Sequence, residues 1–419
     1  MSKLDALAKK KAEARVVEPR SKKYMIYLVI FMGMVSMMDQ YCSLIEGPIV
    51  PYILVDYGIT ASEFAFLQGI YGLITFACFF IAWIADAYGR KKAMLVLMLS
   101  MGIPALLIGL VSFTIHLFFI FYAIVIMGTL SNLWELPITE EAKPEKRGTL
   151  GGLVFLIGLI PVYAIVGSLI ADTLGWRWAY GVMFFYMLII LIPMWFLMKE
   201  TKRWEMVKED RGVEVFHIKD AFKSLNRKDL TYILASTIIY TTWTAVFKLG
   251  ATWGGYYYMN IQGLTSDEFR ILLTIGGLLT MVGAISSGIL MDKLGRNPTL
   301  VISCLGAVVG FVFLGLTGFP IFFWMIYYFM PMVLAWIMVY FAEIFPTDVR
   351  GTCTGICTTT SRISYVIGPL LASVLLIFFP DMLGFWIIAG LLMLLPLLSL
   401  LLKPYETKGK TLEEIEAER

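Results

Sequence analysis

The stretches "AWIADAYGRKK" (residues 82–92) and "GILMDKLGRNP" (residues 288–298) decide the fold, because they repeat one pattern in two distant parts of the chain. Three pairs of residues correspond at a constant offset of 206: Asp86 with Asp292, Gly89 with Gly295, and Arg90 with Arg296. Each stretch lies between two long apolar runs. This pattern predicts a tandem repeat whose units are built from apolar helices.

The composition places those helices in a membrane. Of the 419 residues, 59% are hydrophobic and only 16% are charged, and the mean hydropathy is +0.79, well outside the range of soluble domains. Twelve apolar runs of about 20 residues are each long enough to cross a hydrocarbon core of roughly 30 Å. Barrel strands would alternate over about ten residues, which these runs do not. We therefore predict an all-α membrane protein with twelve transmembrane helices in two pseudo-symmetric halves.

The polar segments divide the chain into five parts. We predict an N-terminal tail (1–23), a first six-helix half (24–198), a linker (199–229), a second six-helix half (230–402) and a C-terminal tail (403–419). Basic residues alternate onto one side of the membrane, so the positive-inside rule predicts that both termini are cytoplasmic. Because the polar N-terminus runs directly into a full-length span, it is not expected to be a cleaved signal peptide.

The sequence offers little for a metal, a cofactor or a nucleic acid. All five cysteines lie inside predicted spans, and neither of the two histidines has a second ligand at metal spacing. The net charge of +3 follows from the topology alone, so no nucleic-acid partner is expected. We expect no cofactor and no metal.

The quoted stretches resemble the two copies of the signature loop of the major facilitator superfamily. In addition, "AEIFPTDVRGTCTG" (342–355) and "KPYETKGKTLEEIE" (403–416) resemble motifs shared by sugar porters, organic ion transporters and bacterial metabolite:proton symporters. The resemblance covers nearly the whole chain and implies a secondary transporter that works by alternating access. The short loop at 51–62 lacks the large insertion of animal organic ion transporters, so we expect a prokaryotic plasma-membrane protein, acting as a monomer.

A second repeated motif supplies more charges on the cytoplasmic side. "EEAKPEKRG" (140–148) corresponds to "AEIFPTDVRG" (342–351), which aligns Glu141 with Glu343 at an offset of 202. We predict that charge networks latch this side when the site opens outward. The predicted gate residues are Asp86, Gly89, Arg90, Glu141, Arg147, Asp292, Arg296, Glu343 and Arg350. Positive-inside topology combined with a tight turn is the alternative interpretation, and it explains the repeated spacing less well.

Acidic residues inside the spans are candidates for proton coupling, since buried charge is costly in a membrane. Asp39 and Glu46 lie two helical turns apart on one face of the first span, with Asp39 deep and Glu46 near the outer end. The "DQYC" run resembles the Asp-Gly-Tyr-Asp of metabolite:proton symporters, with Asp39 at the first aspartate. Glu135 is a third candidate, although a place in the inner gate or a helix-packing hydrogen bond fits it better. A permanent ion pair across the cleft competes with the proton-carrier interpretation.

Basic residues inside the spans suggest an anion site. Arg362, in "TSRISYVIGP" (360–369), lies about 16 Å into its span, too deep to reach water cheaply. Lys248 is also deep, and Trp243 and Tyr257 near it can supply aromatic walls. The spacing of Arg362 from Pro369 resembles organic ion transporters, in which a basic residue there implies an anionic substrate. Alternatively, Arg362 pairs permanently with Asp39 or Glu46.

Proton-coupled symport of a small organic carboxylate is therefore the leading hypothesis. A sugar or polyol symporter is the alternative, weakened by Cys42 at the aspartate position of the sugar porters' Gly-Tyr-Asp. A drug antiporter ranks third, because Arg362 would repel cations. The chain has neither the Gly-x-Ser-x-Gly motif nor the His-rich helix face expected of an intramembrane enzyme. A receptor built on a transporter scaffold would tolerate loss of one gate loop, but both loops are nearly intact here.

Overall fold

The computed structural model describes residues 20–129, 133–202, 204–206, 227–345, 350–402 and 405–408. Within these ranges twelve helices are long and apolar enough to cross a membrane, which confirms the predicted fold class. The first half contains α1 (Lys22–Leu44), α2 (Ala61–Ala85), α3 (Arg90–Val111), α4 (Ile115–Glu141), α5 (Thr149–Thr173) and α6 (Trp176–Leu197). The second half contains α7 (Arg227–Ile261), α8 (Ser266–Leu294), α9 (Arg296–Thr317), α10 (Pro320–Phe341), α11 (Cys353–Phe378) and α12 (Leu383–Leu402).

Several spans are interrupted, and two of the interruptions position charged residues. A single residue, Ile45, separates α1 from a helix over Glu46–Tyr57, and Ile45 itself has helical φ and ψ angles. Helix α11 is divided between a helix that ends at Ser361 and one over Ser364–Phe378, with Arg362 in the break. Broken helices are tolerated at membrane depth where protein surrounds the backbone or a cavity adjoins it.

The remaining interruptions are short. A 3₁₀ segment, Gly72–Ala77, divides α2 into Ala61–Tyr71 and Cys78–Tyr88. Helix α4 comprises Ile115–Gly128, Leu133–Glu135 and Leu136–Glu141, α12 comprises Leu383–Leu392, Leu395–Leu398 and Ser399–Leu402, and a helix over Pro144–Gly158 opens α5. Single π-helical turns occur in α5, α6 and α7, at Tyr163–Gly167, Met187–Leu191 and Tyr256–Ile261.

The bundle has two distinct ends. We call the end with the turns at Gly89 and Gly295 the basic end, and the opposite end the far end. Gly89 and Gly295 have φ angles of +106° and +108°, a conformation that L side chains rarely adopt. These glycines therefore make the tight turns between α2 and α3 and between α8 and α9.

The two halves pack against each other mainly in their far-end portions. The helix pairs that join them are α2 with α11, the Glu46–Tyr57 helix with α7, and α5 with α8. A Cβ atom at Gly47 would lie 2.2 Å from the carbonyl oxygen of Ala251, so only glycine permits this approach. A Cβ atom at Gly152 or Gly355, nearer the basic end, would meet nothing within 4 Å. The structure therefore shows the halves in close contact at the far end.

A buried charge cluster between the two halves

Glu46 lies at the centre of a polar cluster between the halves. It is 1% exposed, and its Oε2 accepts hydrogen bonds from the hydroxyls of Tyr122 (2.6 Å) and Thr252 (3.1 Å). Lys248 Nζ lies 3.3 Å from the same oxygen, and the amide of Gln68 donates to Oε1. Tyr122 and Gln68 belong to the first half, whereas Lys248 and Thr252 belong to the second. The carboxylate of Glu46 therefore joins the Glu46–Tyr57 helix, α2 and α4 to α7.

The ion pair of Glu46 and Lys248 compensates two charges that would otherwise be costly to bury. Lys248 is 4% exposed and also approaches the carbonyl oxygen of Ser43 at 3.4 Å. Glu46 was predicted near the outer end of the first span, where an unpaired carboxylate costs little. That placement was wrong, because the helix that begins at Glu46 continues to Tyr57, and Glu46 is buried in the contact between the halves.

Tyr365 lies between the two basic residues of the site. Its ring centroid is 5.5 Å from Lys248 Nζ and 5.4 Å from the guanidinium carbon of Arg362. Such distances allow cation–π attraction to both. The Tyr365 hydroxyl, although buried, has no hydrogen-bond partner.

Arg362 is 2% exposed and only partly satisfied. Its Nη2 donates to the carbonyl oxygen of Thr129 at 2.9 Å, which joins α11 to α4. Its Nη1 has no hydrogen-bond partner. The ion pairs among the described residues do not include one between Arg362 and Asp39 or Glu46, so the predicted permanent pair is not formed here.

A cavity of about 10 Å³ adjoins this cluster, and its lining includes Gln68, Thr75, Tyr122, Lys248 and Tyr365. That volume holds about one water molecule. A substrate would therefore enter only after the surrounding helices move apart.

The other two predicted proton-coupling residues lie outside the Glu46–Lys248 pair, although Asp39 is within electrostatic range of Arg362 and Tyr365. Asp39 is fully buried in α1, and its Oδ2 accepts a hydrogen bond from the indole of Trp134 at 2.9 Å. Glu135 is half-buried in α4 beside Gly151, where a Cβ atom would lie 3.4 Å from its Oε1. Neither residue contacts Lys248 among the contacts described.

Trp243 and Tyr257, which were predicted to form aromatic walls of the substrate site, do not contact the cluster in the described structure. The indole of Trp243 donates to the carbonyl oxygen of Met330 at 2.7 Å, and the ring stacks on Phe247. Tyr257 packs edge-on against Trp386, and its hydroxyl accepts from Gln262 at 3.0 Å. Both side chains are thus internal to the second half, because the helical twist of α7 points them away from Lys248. Tyr365 occupies the place that they were expected to fill.

The neutral members of the cluster were not predicted from the sequence. These are Gln68, Tyr122 and Thr252, and polar but uncharged side chains of this kind are common in spans. Gln68, in "FLQGIYGL" (66–73), was the most visible signal, since an amide needs partners at membrane depth.

The first predicted gate network pairs differently from expectation. Arg90 binds Glu140, with Nη2 2.8 Å and Nε 3.0 Å from Oε1, instead of Glu141. Glu141 instead accepts from Arg20 at 3.0 Å. The predicted alignment was therefore one residue out of register. Glu140 and Arg147 are seven residues apart, as are Glu343 and Arg350. Aligning Glu140 with Glu343 therefore also aligns the two arginines, although the segment after Pro144 is one residue shorter.

The second network mirrors the first. Arg296 binds Glu343 through Nη2 (2.7 Å) and Nε (3.0 Å), while the largely exposed Asp292 lies 3.6 Å from Nη1. The side chains of three further predicted gate residues, Asp86, Arg147 and Arg350, lie outside the described residues.

Segments after α6 and α12 complete the two networks in the same way. Glu200 accepts from the backbone N–H of Arg90 at 2.8 Å, and Glu406 accepts from that of Arg296 at 2.8 Å. Both carboxylates cap the start of a helix, as expected for an anion at a helix N-terminus. All these pairs lie within one half, so they stiffen each half and do not by themselves hold the halves together.

Comparison with known proteins agrees with this architecture. Residues 29–340 match the model of the Major Facilitator Superfamily. A metabolite transport protein of Bacillus subtilis is 26% identical over 392 residues (80% of this chain, 81% of that protein), and the glucose transporter of Staphylococcus epidermidis is 27% identical over 383 residues (80% and 83%). The cis,cis-muconate transport protein of Acinetobacter baylyi is 23% identical over 315 residues (68% and 72%).

The fold is also known from experiment. The inward-open xylose transporter from E. coli superposes with a TM-score of 0.72, at 19% identity, over 94% of this chain and 99% of that one. The repeated loops, the twelve spans and the matched family model agree. The chain belongs to the Major Facilitator Superfamily.

Proposed function

We propose that this protein is a proton-coupled symporter of a small organic carboxylate, which binds between the halves near Arg362 and Lys248. One observation carries the proposal: a guanidinium that is 2% exposed keeps one nitrogen, Nη1, without any hydrogen-bond partner. A buried cationic donor left unsatisfied is costly, so its retention favours a ligand that completes it.

The chemistry of the neighbouring groups favours a carboxylate. A guanidinium presents parallel N–H groups that match the two oxygens of a carboxylate, and the bonds so formed are charge-assisted. The Tyr365 hydroxyl, which also lacks a partner, is a neutral donor on a ring that lies 5.4 Å from the Arg362 guanidinium. Lys248 is a second positive charge near the same ring, 5.5 Å from its centroid. The muconate transporter among the relatives shows that carboxylates are carried by a similar protein.

The orientation and location form part of the proposal. We assign the basic end to the cytoplasm, because short cytoplasmic loops are enriched in lysine and arginine. Since the relatives named above are bacterial, we place the protein in the plasma membrane of a prokaryote. In that orientation the structure is closed to the outside.

A sugar symporter is the second candidate, and the glucose transporter of S. epidermidis favours it. Gln68, Tyr122 and Thr252 are the kinds of side chain that bind sugar hydroxyls. In this structure, however, all three donate to Glu46. A sugar would have to displace these contacts and would leave Nη1 of Arg362 without an anion.

Binding to the purified protein tests the proposal, with cis,cis-muconate and D-xylose as probes. Arg362→Lys keeps the charge but loses the planar fork, and we expect muconate affinity to fall by about tenfold or more, roughly 1.4 kcal/mol. Arg362→Ala should abolish muconate binding while the protein remains monodisperse in detergent. Arg177→Lys is the matched control, because Arg177 lies at the far end, 2.7 Å from Asp56. Muconate binding by Arg362→Ala at wild-type affinity would show that the arginine is structural and the anion assignment is wrong.

A further inference from the structure

The pair formed by Glu46 and Lys248 has a property that no other described ion pair at membrane depth shares. Glu46 lies at the start of the Glu46–Tyr57 helix in the first half and Lys248 on α7 in the second, so the pair crosses the interface that must open during transport. We propose that Glu46 takes up the coupled proton, and that Lys248 changes partner during transport, from Glu46 to the carboxylate of the substrate. The inference rests on the proposed function and specifies its coupling residue.

The surroundings of Glu46 suit a carboxylate that loses one partner and keeps the others. Besides Lys248 it accepts from Tyr122, Thr252 and Gln68, which hold its position from three helices. The hydroxyl of Tyr122 and the amide oxygen of Gln68 can also accept, so each side chain can bond to the protonated acid. The titratable and charged groups that face Glu46 are Lys248 on α7, Tyr122 on α4 and Tyr180 on α6. Lys248 is therefore the only cation among them.

Charge balance couples the two ligands. In the structure the carboxylate of Glu46 and the ammonium of Lys248 sum to zero. A substrate carboxylate that takes over Lys248 leaves the carboxylate of Glu46 without a cation at a site almost without water, and the second carboxylate of muconate remains for Arg362. One proton from solution, bound to an oxygen of Glu46, converts it to a neutral carboxylic acid, while Lys248 keeps all its protons. Because uncompensated buried charge is costly, substrate and proton bind together or not at all.

The same pair explains how an empty carrier returns. Without substrate, a deprotonated Glu46 re-forms its ion pair with Lys248, and this pair is again neutral when the helices close around it. The structure shows this state, with the pair formed, the cavity reduced to about 10 Å³ and the far end closed. A carrier with a protonated Glu46 and no substrate would leave the charge of Lys248 unpaired, so leakage of protons is suppressed.

Counting protons tests the proposal. Calorimetry of cis,cis-muconate binding in buffers of different ionisation enthalpy gives the number of protons taken up per ligand. We expect one proton for the wild type and none for Glu46→Gln, in which binding should no longer depend on pH and should tighten, since the amide does not compete for Lys248. In proteoliposomes Glu46→Gln should retain exchange of muconate and lose pH-driven accumulation.

Two rival carboxylates provide the comparison. Asp39→Asn removes a buried acid and Glu135→Gln a half-buried one, neither of which contacts Lys248 among the described contacts, and both variants should still take up one proton. Uptake of one proton by Glu46→Gln, or of none by Asp39→Asn, would overturn the inference and leave the proposed function standing. A wild type that binds D-xylose and no carboxylate would instead overturn the proposed function, and this inference with it.

A measurement on the wild type covers the case in which Glu46→Gln does not fold. Infrared difference spectra on muconate binding should show a new carboxylic-acid C=O band. That band should shift in Tyr122→Phe, which removes a hydrogen bond from Glu46. No new band, or a band that Tyr122→Phe leaves in place, would contradict the assignment to Glu46.

Discussion

The ring of Tyr365 lies near two cations, and its buried hydroxyl has no hydrogen-bond partner in this structure. In the empty protein it contributes only the cost of a desolvated polar group. A bound carboxylate would give it an acceptor. The hydroxyl is thus expected to matter for the substrate complex and to be dispensable for folding.

We therefore expect Tyr365→Phe to weaken muconate binding by about fivefold, roughly 1 kcal/mol, without lowering the unfolding temperature. Tyr186→Phe is the matched control, and it is expected to change thermal stability instead of binding. The Tyr186 hydroxyl donates to the carbonyl oxygen of Met34 at 2.9 Å within the first half. Its loss should lower thermal stability and leave binding unchanged. Unchanged muconate affinity in Tyr365→Phe would place the substrate away from this hydroxyl.

Individual site residues were predictable from sequence only where charge made them conspicuous. Arg362 and Lys248 were found because charges inside spans are rare. The importance of Glu46 was underestimated because the apolar pattern does not reveal that the helix beginning at Glu46 continues to Tyr57. Trp243 and Tyr257 were misplaced for a related reason: proximity along α7 says nothing about which face of the helix reaches the other half.

The contact between the Glu46–Tyr57 helix and α7 sets how closely the halves meet. Gly47 approaches the backbone of Ala251, and Gly255 approaches the backbone of Gly47, where an added Cβ atom would again lie at 2.2 Å. Hydrogen bonds across the far end, such as that of Ser62 with Ser373 at 3.0 Å, depend on this approach. Small residues that allow close helix contact are typical of membrane interfaces.

Gly47→Ala should accordingly hinder closure of the far end. We expect an impermeant maleimide, added from outside, to label a Ser373→Cys reporter faster in this variant, by about tenfold for each 1.4 kcal/mol lost from the closed state. The native cysteines are buried and free, so they should label slowly. Gly152→Ala, where the new methyl group meets nothing within 4 Å, is the control and should label at the parent rate. Equal labelling of Gly47→Ala and the parent would mean that this contact does not limit closure.

The charge networks at the basic end show what repetition in sequence can and cannot specify. The turns at Gly89 and Gly295 and the cations Arg90 and Arg296 followed directly from the offset of 206. The acidic partner in the first half did not, because Glu140 and Glu141 are adjacent and a shorter loop shifts the alignment by one residue. Only the contact of Arg90 with Glu140 resolves the register.

Across the whole molecule, composition and repetition were sufficient to predict twelve spans and two halves, since membrane helices are constrained by length and apolarity. Substrate chemistry was not fixed in the same way. It depends on which side chains from different helices meet, and the contacts of α1, α4, α7 and α11 arise only in the folded bundle. Together these contacts support one proposal: an inward proton gradient drives the uptake of a carboxylate that binds at a site completed by Arg362.

Uptake into proteoliposomes tests that claim most directly. Wild-type protein, with a pH gradient acid outside, should accumulate labelled cis,cis-muconate above its external concentration, and collapse of the gradient by a protonophore should release it. Arg362→Ala should show no uptake above empty liposomes, while Arg177→Lys should match the wild type. Gradient-driven accumulation of D-xylose without any of muconate, or undiminished muconate uptake by Arg362→Ala, would contradict the account.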